Sequence, residues 1–401
     1  MRNIGAEPIL IVGAGPVGLT LAWRLAQGGL PARVFDAEPE IPDQLRASTF
    51  HPPTLDLFDA SGITAELIAR GRITPTWQIR LHDTSERAEF DLGILADVTA
   101  HPYRLQCRQA ELSRALLRRL PADTVRFGAE VTEVAQDAGG VTLSLGSDTV
   151  RGSLLIGCDG ARSLVRKAMG AGFEGSTYPE NTILVTTHFP FDEHLEGLSG
   201  VNYIWKPGGT FSLLRLPDLW RVSLHPAPGQ SPDEALEDEA IRAQTRAVVP
   251  GAGDIDIVEK RIYRVHRRIA DRYRKGRMFL AGDAAHLNSP KGGMGMNGGI
   301  HDAFCLADKI LAVAGGADAR ALDDYERQRR PIARDDILAQ ADANRARMNQ
   351  TDPEARRAEL ARLQAIAADP GRARAFLLRS SMIEGLRRAE TLAAEPVESA
   401  R

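Results

Sequence analysis

Gly13-Ala14-Gly15-Pro16-Val17-Gly18 follows directly on the apolar run Ile9 to Val12. In a turn of this spacing the first glycine allows a tight bend and the second lets a pyrophosphate approach the backbone. The third lets a helix lie close on the strand before it. Residues Val17 to Gln27 then show helical spacing, and the unpaired N–H groups and partial positive charge at the start of that helix face a phosphate. Asp36 ends the next strand, Ala32 to Asp36, where a carboxylate can accept hydrogen bonds from a ribose. These residues predict a dinucleotide site, and on their own they leave FAD and NAD equally open.

Two further constellations carry chemistry. Cys158-Asp159-Gly160-Ala161-Arg162-Ser163 follows the apolar run Leu154 to Ile156. It reads either as an Asp-Gly turn whose Asp159 or Ser163 caps a helix, or as a loop whose acid and arginine lie near a dinucleotide. Gly282-Asp283-Ala284-Ala285-His286 precedes Pro290 and the run Gly292-Gly293-Met294-Gly295-Met296-Asn297-Gly298-Gly299. Glycines this dense before a helix let backbone N–H groups crowd against a planar or anionic ligand. Asp283, after a buried strand, is placed to accept from hydroxyl groups, and His286 reads as a residue that holds the loop.

In this order the three motifs resemble the class A flavin-dependent aromatic hydroxylases, the family of p-hydroxybenzoate hydroxylase, over about residues 8 to 335. The resemblance implies bound FAD, with Gly13, Gly15, Gly18 and Asp36 on its ADP half and Asp283 on the ribityl chain. Asp159 and Arg162 match a motif that serves both FAD and NAD(P)H, while Arg46 and Gln109 match flavin contacts. Pro290, Gly295, Met296 and Asn297 match positions bordering the isoalloxazine ring, with Pro290, Met296 and Asn297 as the catalytic candidates. Ser289 before Pro290 and Lys291 after it depart from a motif that often carries a second proline. The chemistry implied is attack of a C4a-hydroperoxyflavin on an electron-rich phenol or N-heteroarene, with NAD(P)H and O2 as co-substrates. Two rival readings are a flavin-dependent reductase that inserts no oxygen, which would share the first and third motifs, and a flavin-binding protein without turnover, against which the second motif and the intact glycine-rich run speak.

The elements that must position these residues follow from periodicity. A strand, a glycine turn, a helix and a strand make a βαβ unit over residues 8–36. Helices are expected at Pro52 to Leu57 and Glu111 to Leu120, and strands of one meander at Val125 to Ala135 and Val141 to Leu145. Buried strands are expected at Leu154 to Gly157 and Met278 to Ala281. The fold class is α/β: a discontinuous Rossmann-type FAD domain (1–180 and 270–335), a sheet-based substrate domain (181–269) and a helical C-terminal region (336–401), broken at Asp369-Pro370-Gly371 and fraying from Glu395. Candidate substrate contacts on the second domain's strands are His188, Tyr203, Trp205, Arg221 and His225, any of which can also be core or surface.

The rest of the sequence bounds the function. A formal net charge of −3 argues against a nucleic-acid or anionic-membrane binder. Arg261, Arg264, His266, Arg267, Arg268, Arg272, Arg274, Lys275 and Arg277 form a basic cluster, read as an ion-paired face or as a landing site for nicotinamide phosphates. The three cysteines are widely spaced and match no zinc pattern, so no metal is expected. No signal peptide or membrane span is legible. The expectation is a cytoplasmic monomer or homodimer.

Overall fold

The computed structural model describes residue 4 and residues 7–227 and 229–394; the segment expected to fray lies outside them. The strand Ile9–Val12 sits at the centre of a six-stranded sheet, parallel to Leu154–Gly157 on one side and to Ala32–Phe35 on the other. Every residue of Ile9–Val12 and Leu154–Gly157 is buried, as expected of strands covered on both faces. Met278–Leu280 and Val125–Arg126 extend the sheet in parallel, and Arg274–Lys275 adds an antiparallel edge. Val125–Arg126 thus departs from the expected meander. It pairs with Val34 and Phe35, and only Glu133–Gln136, Val141–Leu145 and Asp148–Gly152 form the three-stranded antiparallel sheet. The helices Pro16–Gln27 and Gly295–Ala314 pack together, with Trp23, Phe58 and Phe304 in edge or tilted ring contact.

The second sheet has eight strands: His286–Leu287, Glu259–Ala270, Phe173–Thr187, Trp220–Leu224, Gly209–Arg215, Val201–Lys206, Thr76–Leu81 and Arg87–Asp91, in that order. It is wider than the 181–269 expected for it. Thr76–Leu81 pairs parallel to Val201–Lys206, a long-range contact that local periodicity cannot reveal. Alternation divides the residues between two faces. Ile183, Val185, Phe211, Leu213 and Val222 pack with Ile241 and Val248 of the helix Asp238–Val248. Tyr203, Ser212 and Ser223 stand in cross-strand register on the other face.

The C-terminal region is helical as expected. Pro331 lies inside the helix Asp323–Ile332, and a π-helical segment, Ala333–Leu338, follows it, as suits a helix that loses a backbone donor. Asp369 caps the helix Pro370–Ser380 through the Arg372 N–H at 2.9 Å, which places the expected break. Leu360, Leu363, Ile366 and Leu377 bury themselves against Trp77, Phe90 and Val201 of the second sheet. No helix among the described residues is long and apolar enough to cross a membrane.

Candidate functional site

The glycine turn has the geometry its spacing predicts. Gly13 takes φ +105°, and a Cβ there would meet the Cys158 carbonyl oxygen at 2.3 Å. A Cβ on Gly18 would lie 2.0 Å from the Gly13 oxygen, so this glycine packs helix on strand and does not line the cavity. Gly15 differs: nothing lies within 4 Å of a Cβ built there, because it faces open space. The Asp36 carboxylate accepts from the Ala14 N–H and, at 2.9 Å, from the Glu38 N–H.

A groove runs from Asp36 past Gly13, Gly15, Pro16, Asp159 and Arg162 to Arg46 and Gln109. Asp159 accepts from the Leu164 and Val165 N–H groups at 2.7 and 3.2 Å, and Ser163 accepts from Arg166. Both capping candidates therefore cap. The other Asp159 oxygen is buried without a partner, and burial raises the pKa of this acid.

The groove opens into a middle compartment lined by Val17, Asp283, Pro290, Gly295 and Met296, and Gly15, Pro16, Arg46, Gln109, Cys158 and Gly160 belong to both. Asp283 is exposed on the compartment wall yet enclosed by protein. Burial raises its pKa, against the opposing pull of His286 and Arg46. Cys158 is kept a thiol by burial and by Asp159, so it offers no nucleophile.

Beneath Gly282 lies a buried ionic lock that sequence reasoning missed except for His286. Asp302 accepts from His286 Nε2 at 2.8 Å, from Arg329 Nε at 2.7 Å and from the Gly282 N–H at 3.2 Å. All three side chains are essentially inaccessible. Burial alone would raise the Asp302 pKa, but Arg329 and His286 outweigh it and hold it at about 2.

Asn297 falls outside the expected role for its side chain. Its oxygen accepts from the His51 N–H at 3.0 Å, and its amide donates to Thr49 and Gly293 carbonyls at 2.9 and 2.7 Å. It fastens the glycine-rich loop and does not face the compartment. His51, also missed, binds the Gly292 carbonyl at 2.9 Å through Nε2. What the loop does present is the start of the helix Gly295–Ala314, whose first N–H groups have no intrahelical partner.

A third chamber shares Thr49, Arg221, Pro290 and Gly293 with the middle compartment. Of the five expected substrate contacts, Tyr203, Arg221 and His225 line it. His188 does not: it lies beyond its strand, exposed and bound to Asp256 at 2.7 Å. Trp205 does not either: it shares the face of Tyr203 but is buried at the far end, its indole donating to the Arg347 carbonyl at 3.1 Å. Burial lowers the His225 pKa, with Lys291 acting in the same direction, and its Nδ1 lies 3.0 Å from the Asn181 carbonyl. That bond puts the proton on Nδ1 and leaves Nε2 as an acceptor. Glu180, Lys291, Arg345 and Met348 also line it. Arg345 and Met348 come from the C-terminal helix Ala339–Met348, which no motif marked.

The basic cluster is largely tied down. Arg267 pairs with Asp342, Arg274 with Asp323, and Arg277 donates to the Ser153 and Ala138 carbonyls. Arg261 turns inward instead, and burial followed by Arg221 lowers its pKa.

Over residues 7–339 the chain matches the family described as FAD binding domain. It is 33% identical over 398 residues to the para-nitrophenol 4-monooxygenase of a Pseudomonas species (strain WBC-3), covering 95% of this chain and 97% of that one. It is 34% identical over 337 residues to the 6-hydroxy-3-succinoylpyridine 3-monooxygenase of Pseudomonas putida, covering 81% and 84%. The solved p-nitrophenol 4-monooxygenase from Pseudomonas putida superposes with a TM-score of 0.87 at 31% identity, across 95% of this chain and 98% of that one. A ternary complex of aklavinone-11 hydroxylase with FAD and aklavinone superposes with a TM-score of 0.75 at 28% identity, across 86% and 70%.

Proposed function

The chain belongs to the FAD-binding-domain family of flavin-dependent aromatic monooxygenases, and from that membership we propose that it hydroxylates a small phenol or hydroxypyridine with NAD(P)H and O2. The observation that carries the reading is the run of three compartments with shared walls: a nucleotide groove, a middle space and a substrate chamber. The residues fit FAD, since Gly15 opens onto the groove with no atom in the way and Asp159 keeps a buried oxygen without a partner. Bound there, FAD supplies activation of O2 and delivery of an electrophilic oxygen atom.

The chain's own residues supply place and polarity. Gly13, Gly15, Pro16, Val17 and Asp36 hold the ADP half, with Gly18 setting the helix against its strand. Asp283 accepts from the ribityl hydroxyls, and Arg46 and Gln109 span the join. The unpaired N–H groups at Gly295, Met296 and Asn297 stabilise negative charge on the pyrimidine edge of the ring system. Pro290 lines both the middle compartment and the substrate chamber, where ring and substrate would meet. His225 accepts from a substrate hydroxyl through Nε2, and Tyr203 and Arg221 orient the ring, because withdrawing the hydroxyl proton makes the arene a better nucleophile. Arg162, exposed at the groove, meets the nicotinamide cofactor. Cys107, Cys158 and Cys305 are all unpaired, which fits a cytoplasmic protein.

The test is a panel of phenols and hydroxypyridines offered with NAD(P)H and isotopically labelled O2. The expected result is substrate-stimulated NAD(P)H consumption and a product carrying one labelled oxygen. Turnover without incorporated label favours a reductase, and no stimulation by any arene defeats the proposal.

A further inference from the structure

The substrate chamber is electrostatically lopsided. Arg221, Lys291 and Arg345 line it against a single carboxylate, Glu180. Glu180 is already committed, since it pairs with Arg345 and accepts from Asn349 at 2.9 Å. Arg345 is committed in turn, its guanidinium lying 3.6 Å from the centroid of the Tyr178 ring. Arg221 reaches towards the middle compartment, donating to the Ser48 hydroxyl at 3.1 Å. Lys291 is left. Its ammonium donates to the Asn349 side-chain oxygen at 3.1 Å, and it has no ion pair among the described residues. An ammonium carries three donors, so it has capacity to spare.

Lys291 is also held in place. It directly follows Pro290, which walls both the middle compartment and the chamber, whereas Lys291 lines the chamber alone. Its carbonyl accepts from Asn344 at 3.3 Å, so the C-terminal helix fixes the backbone while Asn349 fixes the side chain. A charge tied at both ends and enclosed by protein is set to meet an anion.

Resting on the function proposed above, we propose that Lys291 is the specificity-determining residue of this chamber and selects the ionised form of a phenol by binding its single oxyanion. The substrate's O–H bond breaks, its proton passes through His225 Nε2 to solvent, and the ring is held as phenolate, the form most reactive towards an electrophilic oxygen. A lysine suits this task because its compact charge matches one oxygen, whereas an arginine fork matches the two oxygens of a carboxylate. The groups facing the ammonium are Glu180 on one strand, His225 after the neighbouring strand, and Arg345 and Asn349 from the C-terminal helix and its end. Burial lowers the Lys291 pKa to about 8, with Glu180 opposing and Arg345 assisting. The ammonium is therefore charged at neutral pH, and the grip weakens as pH rises through about 8.

The experiment uses FAD-loaded enzyme and reads binding from the perturbed flavin absorbance. The probes are 4-nitrophenol, its methyl ether 4-nitroanisole, and 4-nitrobenzoate. The wild type is expected to bind 4-nitrophenol at least about tenfold more tightly than the ether, with the phenolate band visible in the difference spectrum. Lys291→Gln, which can still bond Asn349, and Lys291→Met should both erase that preference at unchanged flavin content. Lys291→Arg should restore part of it. Preference retained in either neutral variant, a bound ligand that stays protonated, or tighter binding of 4-nitrobenzoate than of 4-nitrophenol each overturns the assignment while leaving the proposed hydroxylation intact. A wild type that binds none of the three overturns both.

Discussion

At the scale of the residue, glycines of one motif answer to different demands, and substitution separates them. Gly15→Val places a side chain in open space, so the apoprotein should melt like the wild type while FAD uptake is abolished. Gly13→Ala meets a backbone oxygen and a left-handed φ, so it should lower stability by about 1–3 kcal/mol before any cofactor is added. Thermal melts with and without FAD distinguish the two. Asp283→Ala removes the acceptor on the compartment wall and should give largely colourless protein; full flavin occupancy would refute its assignment. For Arg162→Ala the expected change is a raised KM for NAD(P)H with little change for the arene, read from steady-state kinetics. That such residues line the groove and compartment was legible because a local spacing marks each of them. His188 and Trp205 misled because alternation identifies a face but not the stretch of strand under which a chamber opens.

At the scale of the element, the flavin loop is held from both ends by groups that dislike protons or solvent. The Asp302 lock ties the strand end at Gly282 to the helices Gly295–Ala314 and Asp323–Ile332. Removing Arg329 leaves a buried carboxylate bound only by His286 and one N–H, so Arg329→Met should cost about 3–5 kcal/mol in denaturant unfolding. At the other end His51 holds Gly292, and His301 shares a 2.9 Å contact with Thr54. Burial first, then Arg104 for His51 and Arg329 for His301, lowers both pKa values from 6.5 to about 3. The unfolded chain therefore binds more protons between those limits. Stability is fully present above about pH 6.5 and lost as pH falls towards 3, by about 1.4 kcal/mol per pH unit for each histidine. Denaturation midpoints followed against pH should show that slope, and His301→Gln should flatten it. None of these buried partners was legible in the sequence except His286, because lone polar residues in apolar surroundings carry no periodic signal.

At the scale of the whole molecule, the parallel sheet was legible because its strands are continuous apolar runs joined to glycine turns. The wider second sheet was not, since Thr76–Leu81 enters it by parallel pairing with Val201–Lys206, more than a hundred residues away. No motif marks the C-terminal helices. In the structure Leu360, Leu363 and Ile366 anchor them on the second sheet, and Arg345 and Met348 finish the substrate chamber. Leu363→Ala should therefore cost about 2–5 kcal/mol of stability and raise KM for the arene, while flavin content, read by absorbance, stays near the wild-type level.

The helix Ala339–Met348 lends side chains to the substrate chamber and none to the nucleotide groove. A lineage can accordingly exchange the molecule it consumes by rewriting one turn of a single helix, while the machinery inherited for oxygen chemistry passes down untouched.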